Sequence, residues 1–304
     1  MEQGIPRQPY HRGIVGPAHG ANSAETPRSS DIDSSWWRSN AGRETMTGSF
    51  PRAARLELLD RLDDDRLISE LGANLRDIRR SNRYLGGTQA LLSRLWPYLD
   101  GAQGRGKQRP YQPYLDDTRP VSLLDVATGS ADIPIIIAHR SARQHRPVSI
   151  VATDIAGPVL DEARQQVDRS GLNTIRIERA DALALPYHDA EFDLVTCSLA
   201  LHHFDPRRAV IVLSEMHRVA RRAVFVNDLE RSRLAWVGAW LLVHGTTRNR
   251  LTRHDAPLSV QRAYTKEEIL GLCRQAGWQG TRFARARFFR MVVWSEVNAG
   301  SVEA

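Results

Sequence analysis

The sequence predicts an α/β protein with a doubly wound, mostly parallel sheet of seven strands and a helical cap on its N-terminal side. Short apolar runs alternate with helical segments over most of the chain, as in a parallel sheet with crossover helices. Five strands with crossovers are then followed by a closing pair of strands. Such a sheet binds its ligands at the carboxyl ends of the strands.

The N-terminal part of the chain divides into three stretches of different composition. Residues 1–50 are rich in Gly, Pro, Ser and Arg and have no apolar period, which predicts a disordered tail. Met46 lies just before the first periodic segment and is an alternative natural start. A helical period begins at Ala53, so we expect a helical cap over 51–100. Glycine and proline interrupt residues 101–120, which predicts a linker.

Residues 121–304 hold the predicted sheet. The strands are expected at 121–126, 149–153, 174–179, 192–198, 223–227, 281–286 and 289–294. Helices are expected between them at 133–144, 158–170, 206–219, 232–243 and 266–276.

Composition indicates an ordinary globular protein, with 41% hydrophobic and 25% charged residues among 304. The longest apolar run, 234–243, is about half of a membrane span, and the N-terminus lacks the apolar centre of a signal peptide. We therefore expect a cytoplasmic protein without a transmembrane segment, and peripheral membrane contact stays open. Cys197 and Cys273 have no metal-ligand spacing, so neither a disulfide framework nor a metal site is predicted.

The net charge of +7 comes almost wholly from arginine, and the C-terminal part carries much of it. Those arginines alternate with aromatic residues along the last strands, a pattern that usually exposes arginine to water. We therefore expect no nucleic-acid partner. The sequence leaves the oligomeric state open.

The first predicted strand ends in an acid followed by a loop of small residues, Asp125-Val-Ala127-Thr-Gly129. Small residues let a backbone approach a ligand closely. The second strand ends in Asp154, 29 residues beyond Asp125, and Asp181 follows the third strand. A carboxylate at Asp154 suits the two hydroxyl donors of a ribose. Acids at three successive strand ends predict one shared ligand site.

These motifs resemble class I S-adenosylmethionine-dependent methyltransferases, in particular the ubiquinone and menaquinone branch. Three segments carry the likeness: Asp125 to Gly129, the Thr196-Cys-Ser-Leu-Ala-Leu-His-His-Phe stretch, and Val226-Asn-Asp-Leu. The loop departs from the family pattern because Ala127 and Ala131 replace its first and third glycines. The helical stretch 74–87 is similar to methyltransferases encoded beside bacterial polyketide-type synthases, which implies secondary metabolism.

The resemblance implies a Rossmann-like methyltransferase fold in 121–304 and S-adenosylmethionine as cofactor. Asp125 would face the methionine end, Asp154 the ribose, and Asp181 with the next backbone N–H the adenine. The implied cofactor-binding residues are Asp125, Ala127, Gly129, Asp154, Ile155, Asp181, Ala182 and Ser198.

Three histidines are candidates for the catalytic base. His202 and His203 follow the fourth strand, at the rim where the methyl group would be delivered, and His202 matches the base of aromatic O-methyltransferases. Both are also readable as structural residues. His254 precedes Asp255 in what reads as a solvated loop over the substrate. The apolar helix before it is either core or a lid over an aromatic or lipid-like substrate.

Two other functions compete with methyl transfer to a phenolic, quinol or polyketide-like hydroxyl, which we favour over transfer to carbon. A nicotinamide-dependent dehydrogenase also uses an acid after the second strand, but its glycine fingerprint is absent because Ala131 and Pro134 stand in its place. A non-catalytic S-adenosylmethionine binder, acting as a regulator or scaffold, is an alternative that the sequence leaves open.

Overall fold

The computed structural model describes residues 50–60, 65–99 and 119–297. The predicted tail, apart from residue 50, and the predicted linker, apart from residues 119 and 120, lie outside the described residues. Within the described parts, the predicted fold class is confirmed. No helix in these ranges is long and apolar enough to cross a membrane.

Seven strands form one sheet in the order β3-β2-β1-β4-β5-β7-β6. The strands are β1 Val121–Val126, β2 Val148–Asp154, β3 Ile175–Arg179, β4 Phe192–Ser198, β5 Ala220–Leu229, β6 Arg282–Ala286 and β7 Arg290–Glu296. β1 to β5 pair in parallel, whereas β7 runs antiparallel to both β5 and β6. The strand order therefore reverses beside β1, which is the position where doubly wound sheets bind their ligands.

Eight α-helices accompany the sheet in the described ranges. They are α1 Asp65–Tyr84, α2 Gly87–Leu99, α3 Asp132–Arg143, α4 Gly157–Ser170, α5 Pro206–Val219, α6 Arg233–Thr246, α7 Arg250–Arg262 and α8 Lys266–Gln275. Several begin with side-chain caps: Asp205 accepts from two backbone N–H groups of α5, and Thr265 forms a capping box with Glu268 on α8.

Two apolar layers cover the two faces of the sheet. Because side chains alternate along a strand, Leu124 and Val126 of β1 pack in one layer with α5 and α8, whereas Leu123 packs in the other with α2 and α3. Both layers hold side chains with no exposed surface. The sheet is thus a rigid base for the loops at its carboxyl edge.

The segment before α1 differs from the predicted helix that began at Ala53. Residues 50–57 are irregular and are followed by a single 3₁₀ turn, Leu58–Asp60. The backbone N–H groups of Leu58 and Leu59 donate to the carboxylate of Asp255 on α7. The backbone N–H of Ala53 donates to the carbonyl oxygen of Gln261. Bonds to α7 replace the bonds that a helix would make within itself.

The loop predicted around His254 is instead part of helix α7. Asn249 caps this helix by accepting from the backbone N–H of Thr252 at 2.8 Å. Pro257 lies inside the helix and is buried. Proline normally ends or bends a helix, and for that reason the sequence pattern indicated a loop here.

Candidate functional site

Three loops meet at the carboxyl edge of the sheet because their strands are neighbours. Val126, the last residue of β1, is paired with Thr153 of β2 on one side and with Cys197 of β4 on the other. The next residue of each strand or loop is a predicted cofactor-binding residue: Ala127, Asp154 and Ser198. The register thus places these three predicted residues side by side.

Asp125 lies at the base of this edge and is 2% exposed. One of its carboxylate oxygens accepts from the hydroxyl of Thr128 at 2.7 Å, and the other from that of Thr196 at 2.6 Å. Burial disfavours the ionised form and raises the pKa of Asp125 to about 6, although both hydroxyls oppose the shift. The nearby charges of Asp132 and Asp154 act in the same direction as burial.

The loop after β1 is held in an unusual backbone conformation. Ala127, Gly129 and Ala131 all have φ between 53° and 57°, the left-handed region that costs a residue with a Cβ about 1–2 kcal/mol. The backbone N–H of Thr128 donates to the carbonyl of Thr153 at 2.7 Å and helps to fix this shape. A Cβ at Gly129 would meet no atom within 4 Å, so the loop presents open backbone there.

Asp154 joins this loop to the end of β2. Its Oδ2 accepts from the backbone N–H of Gly129 at 3.1 Å and its Oδ1 from that of Ala156 at 3.1 Å. Burial raises the pKa of Asp154. Each carboxylate oxygen has a second lone pair, so two further donors can be accepted. Ile155, the next residue, is 54% exposed, which leaves a large apolar side chain beside the carboxylate.

Asp181 and Ala182 follow β3 in a tight turn. Oδ1 of the exposed Asp181 accepts from the backbone N–H of Leu183 at 2.9 Å, whereas Ala182 is buried. Ser198 ends β4 and is half-buried, and the Nδ2 of Asn227 donates to its hydroxyl at 3.5 Å. Leu199, with φ 53°, then turns the chain towards the histidines.

His202 is 3% exposed and lies in a short 3₁₀ turn, Leu201–His203. Its Nδ1 lies 2.7 Å from Oδ1 of Asp228, which also accepts the backbone N–H of His202 through Oδ2 at 3.1 Å. Its Nε2 lies 3.7 Å from Oε1 of Glu57, beyond hydrogen-bonding distance. A neutral imidazole in this position carries its proton on Nδ1 and a lone pair on Nε2.

His203 pairs with the N-terminal segment. Its Nδ1 lies 2.6 Å from Oδ1 of Asp60 and its Nε2 lies 3.8 Å from Oε2 of Glu57. Burial lowers the pKa of His203, but the carboxylates of Glu57 and Asp60 outweigh it and raise the pKa to about 9. Burial would raise the pKa of Asp60, yet His203 and Arg262 lower it to about 2. Both partners are therefore charged at neutral pH.

His254 points to a different set of partners. Its side chain is 34% exposed, and its Nδ1 lies 2.7 Å from Oδ1 of Asp255. That same carboxylate accepts the backbone N–H groups of Leu58 and Leu59. His254 thus belongs to the attachment of the N-terminal segment to α7.

Sequence reasoning missed the residues that surround the histidine pair. Arg52 donates to the carbonyl oxygens of His202 and Phe204, at 2.7 and 2.8 Å. Arg262 donates to the carbonyl oxygens of both histidines and to Asp60. Glu57 and Asp60 come from a segment with no motif of its own. Only Asp228 stood in a recognised motif, where it had no assigned role.

Comparison with known proteins shows which proteins this chain resembles. Residues 123–223 match the family described as a methyltransferase domain. The chain is 35% identical over 130 residues to a demethylmenaquinone methyltransferase of Thermus thermophilus, covering 42% of this chain and 54% of that protein. It is 44% identical over 85 residues to that of Deinococcus radiodurans, covering 28% and 33%.

A ubiquinone/menaquinone biosynthesis C-methyltransferase of Xylella fastidiosa is 30% identical over 135 residues, covering 43% of this chain and 51% of that protein. The chain thus spans about half or less of the length of these relatives. Among solved structures, magnesium protoporphyrin IX methyltransferase of Synechocystis PCC 6803 with bound SAH has 15% identity and a TM-score of 0.46, covering 70% of this chain and 83% of that one. The resemblance to methyltransferases of the ubiquinone and menaquinone branch is confirmed over the matched residues.

Proposed function

We propose that this chain is an S-adenosylmethionine-dependent methyltransferase that acts on a small molecule. The observation that carries the proposal is the strand register, which sets the Ala127–Gly129 loop, Asp154 and Ser198 side by side at the carboxyl edge. A methyltransferase domain matches this part of the chain. The activity of the whole protein rests on these two supports together.

The residues at this edge fit S-adenosylmethionine. Asp154 has lone pairs left for two ribose hydroxyls, and the exposed side chain of Ile155 offers an apolar surface to the adenine. The open backbone at Gly129 allows close approach. We assign the methionine end to Asp125, with Ala127 and Ser198 lining it, and the adenine to Asp181 and the backbone N–H of Ala182. When bound, the cofactor supplies an electrophilic methyl group on a sulfonium.

The chain's own residues would position the acceptor and take up its proton. In the proposed reaction the acceptor oxygen would bond to the methyl carbon as the carbon–sulfur bond breaks, so the chain would have to hold the acceptor in line for this displacement. The acceptor hydroxyl loses its proton to Nε2 of His202. Asp228 holds the opposite ring nitrogen and stabilises the imidazolium that results, as the carboxylate does in serine hydrolase triads. His203, protonated at neutral pH, has no lone pair to offer there.

The acceptor that we favour is a phenolic, quinol or polyketide-like hydroxyl. A histidine and carboxylate pair suits removal of a hydroxyl proton. Methylation of a ring carbon is the second candidate, because a relative is named as a C-methyltransferase. In that case the same Nε2 would remove a ring proton after transfer. The exposed apolar side chains of α6, among them Leu234 and Trp240, would cover an apolar acceptor. A cytoplasmic role in secondary metabolism stays a prediction.

The test is product formation with a panel of phenolic and quinol acceptors. A methyltransferase releases S-adenosylhomocysteine together with a methylated product, and the mass spectrum of the product tells whether oxygen or carbon gained the methyl group. A non-catalytic binder, the remaining alternative, returns S-adenosylmethionine intact after binding it. Absence of binding in calorimetry would contradict both.

A further inference from the structure

Three side chains of the cluster around the histidine pair converge on one point. Nε2 of His202 lies 3.7 Å from Oε1 of Glu57, and Nε2 of His203 lies 3.8 Å from its Oε2. One ligand atom from each of the three residues lies within 4.8 Å of the other two. We propose that Glu57, His202 and His203 bind one divalent transition metal ion of the zinc type. We call these three residues the Glu-His-His site.

The opposite edge of each imidazole is already fixed by a carboxylate. Nδ1 of His202 lies 2.7 Å from Asp228, and Nδ1 of His203 lies 2.6 Å from Asp60. Histidines that bind metals almost always donate their other ring N–H to such an outer partner, which orients the ring and sets the tautomer. Here both outer partners leave Nε2 as the atom that faces Glu57. The arrangement is the one that metal binding through Nε2 requires.

Glu57 supplies a second, independent observation. The residue is 2% exposed, and its Oε1 has no hydrogen-bond partner in the part of the chain that the structure describes. Its Oε2 accepts from the hydroxyl of Ser259, at 2.9 Å. The nearest guanidinium nitrogen, Nε of Arg262, lies 3.9 Å from Oε1, too far for a hydrogen bond. A buried carboxylate oxygen without a donor costs free energy unless a cation compensates it.

The donor set selects the class of metal. Two imidazoles and one carboxylate are the ligands of zinc and related transition metals, whereas magnesium and calcium prefer oxygen alone. Two ligands at about 2.0–2.1 Å from a tetrahedral zinc ion lie about 3.4 Å apart. The observed separations of 3.7 and 3.8 Å are close to this value. The acids Asp60 and Asp228 add negative charge around the site and offset the positive charge of Arg262.

A metal here would attach the N-terminal segment to the rim of the sheet, because Glu57 comes from that segment and both histidines follow β4. The inference does not rest on the proposed methyl transfer. A bound metal would, however, exclude the role of His202 as base, because the Nε2 lone pair of His202 cannot hold a metal and accept a proton at once. The alternative is a metal-free cluster in which Arg262 and a protonated His203 balance the acids.

Measurement of metal binding distinguishes the metal-bound site from the metal-free cluster. The full chain is stripped with a chelator, dialysed, and titrated with Zn²⁺ in a calorimeter without cofactor or acceptor, so that failure of the proposed function does not affect the result. We expect one Zn²⁺ per chain. Glu57→Gln and His203→Gln should each weaken binding by more than about 100-fold, because loss of an outer partner alone typically costs about 10–100-fold. Asp60→Asn, which removes only an outer partner of His203, should weaken Zn²⁺ binding by about 10–100-fold.

The matched control is His139→Gln, which removes an exposed histidine of α3 that is not part of the Glu-His-His site. It should keep wild-type affinity. A second measurement adds Co²⁺ to the stripped wild-type chain, so that it does not depend on the folding of any variant. We expect the intense visible absorption of tetrahedral cobalt. No Zn²⁺ binding by the wild type, no such absorption, or unchanged affinity in both Glu57→Gln and His203→Gln would overturn the site.

Discussion

Oδ2 of Asp154 accepts the backbone N–H of Gly129 at 3.1 Å and thereby joins the ends of β2 and β1. The same carboxylate holds the backbone N–H of Ala156 through Oδ1. One side chain thus shapes both loops of the proposed cofactor site. Loss of the carboxylate should affect the ligand and the loop geometry together.

We expect Asp154→Ala to weaken S-adenosylmethionine binding by about 1.5–3 kcal/mol, roughly 10- to 150-fold, because hydrogen bonds to charged groups contribute that much. Calorimetry measures the change. Asp161→Ala is the control, since Asp161 is exposed on α4 and pairs with Arg164. Equal affinity of the Asp154→Ala variant and the wild type would contradict the ribose assignment.

The pKa of Asp125, raised by burial to about 6, predicts a pH dependence of cofactor binding. The ionised form attracts the cationic methionine end, so affinity should be constant well above pH 6 and should decrease as pH falls through 6. At pH 5 it should be about tenfold weaker than at pH 7. Thr128, Thr196, Asp132 and Asp154 surround the group, so the Asp125→Asn variant is needed to isolate its contribution. That variant should bind weakly with a flatter profile.

The raised pKa of Asp125 also makes the stability of the fold depend on pH. Because the folded state raises the pKa of Asp125 from 3.8, it binds the proton more tightly than the unfolded chain does. The ionised group therefore lowers the free energy of unfolding, increasingly as pH rises from about 4 to 6. Asp125→Asn should remove this slope, measured by urea unfolding at several pH values. If the variant keeps the wild-type dependence of the free energy of unfolding on pH, other acids cause that dependence.

Strands such as β1 and β4 were predictable because each is a short, largely apolar run. The ends of β1 and β4 agree with the sequence prediction, and those of β2 and β3 differ by a residue or so. Their neighbours in space follow from the general rules of crossover connections. The three acids at the strand ends could be found for the same reason, because a strand end is a local property of the chain.

The surroundings of the histidines were not predictable in this way. Glu57 and His202 are separated by 145 residues, and no periodicity links them. Glu57 stood among leucines that indicated a helix, whereas bonds to α7 draw the segment into an irregular path. The buried carboxylate is thus a product of tertiary contacts. Pro257 had the opposite effect and concealed the helix that makes those contacts.

The N-terminal boundary can be tested by two shortened chains. A chain that begins at Met46 keeps Arg52, Glu57 and Asp60, and should match the full chain in melting temperature and cofactor affinity. A chain that begins at Asp65 loses all their contacts with His202, His203 and Arg262, and should melt at a clearly lower temperature. Circular dichroism and calorimetry provide both readings. A lower melting temperature already in the first chain would show that residues 1–45 pack on the domain.

His202 is the proposed proton acceptor. His202 stands four residues beyond Ser198, its Nδ1 is held by Asp228, and its Nε2 lies 3.7 Å from Glu57, beyond hydrogen-bonding distance. Removal of a general base typically costs about 10²–10⁴ in rate. His202→Ala should therefore lower turnover by that factor. Asp228→Asn should also lower turnover, because the amide no longer selects the tautomer with the proton on Nδ1.

Cofactor affinity should stay nearly unchanged in these variants, since Asp125, Asp154 and Asp181 lie on other strands. Assays are run with a chelator, so that no metal occupies Nε2 of His202. His203→Ala and His254→Ala are the comparisons, and the base is the residue whose loss lowers turnover without weakening cofactor binding. A protonated His203 has no lone pair at neutral pH, and His254 serves the attachment of the N-terminal segment, so neither should meet this criterion. Wild-type turnover in all three variants would show that proximity alone drives the transfer.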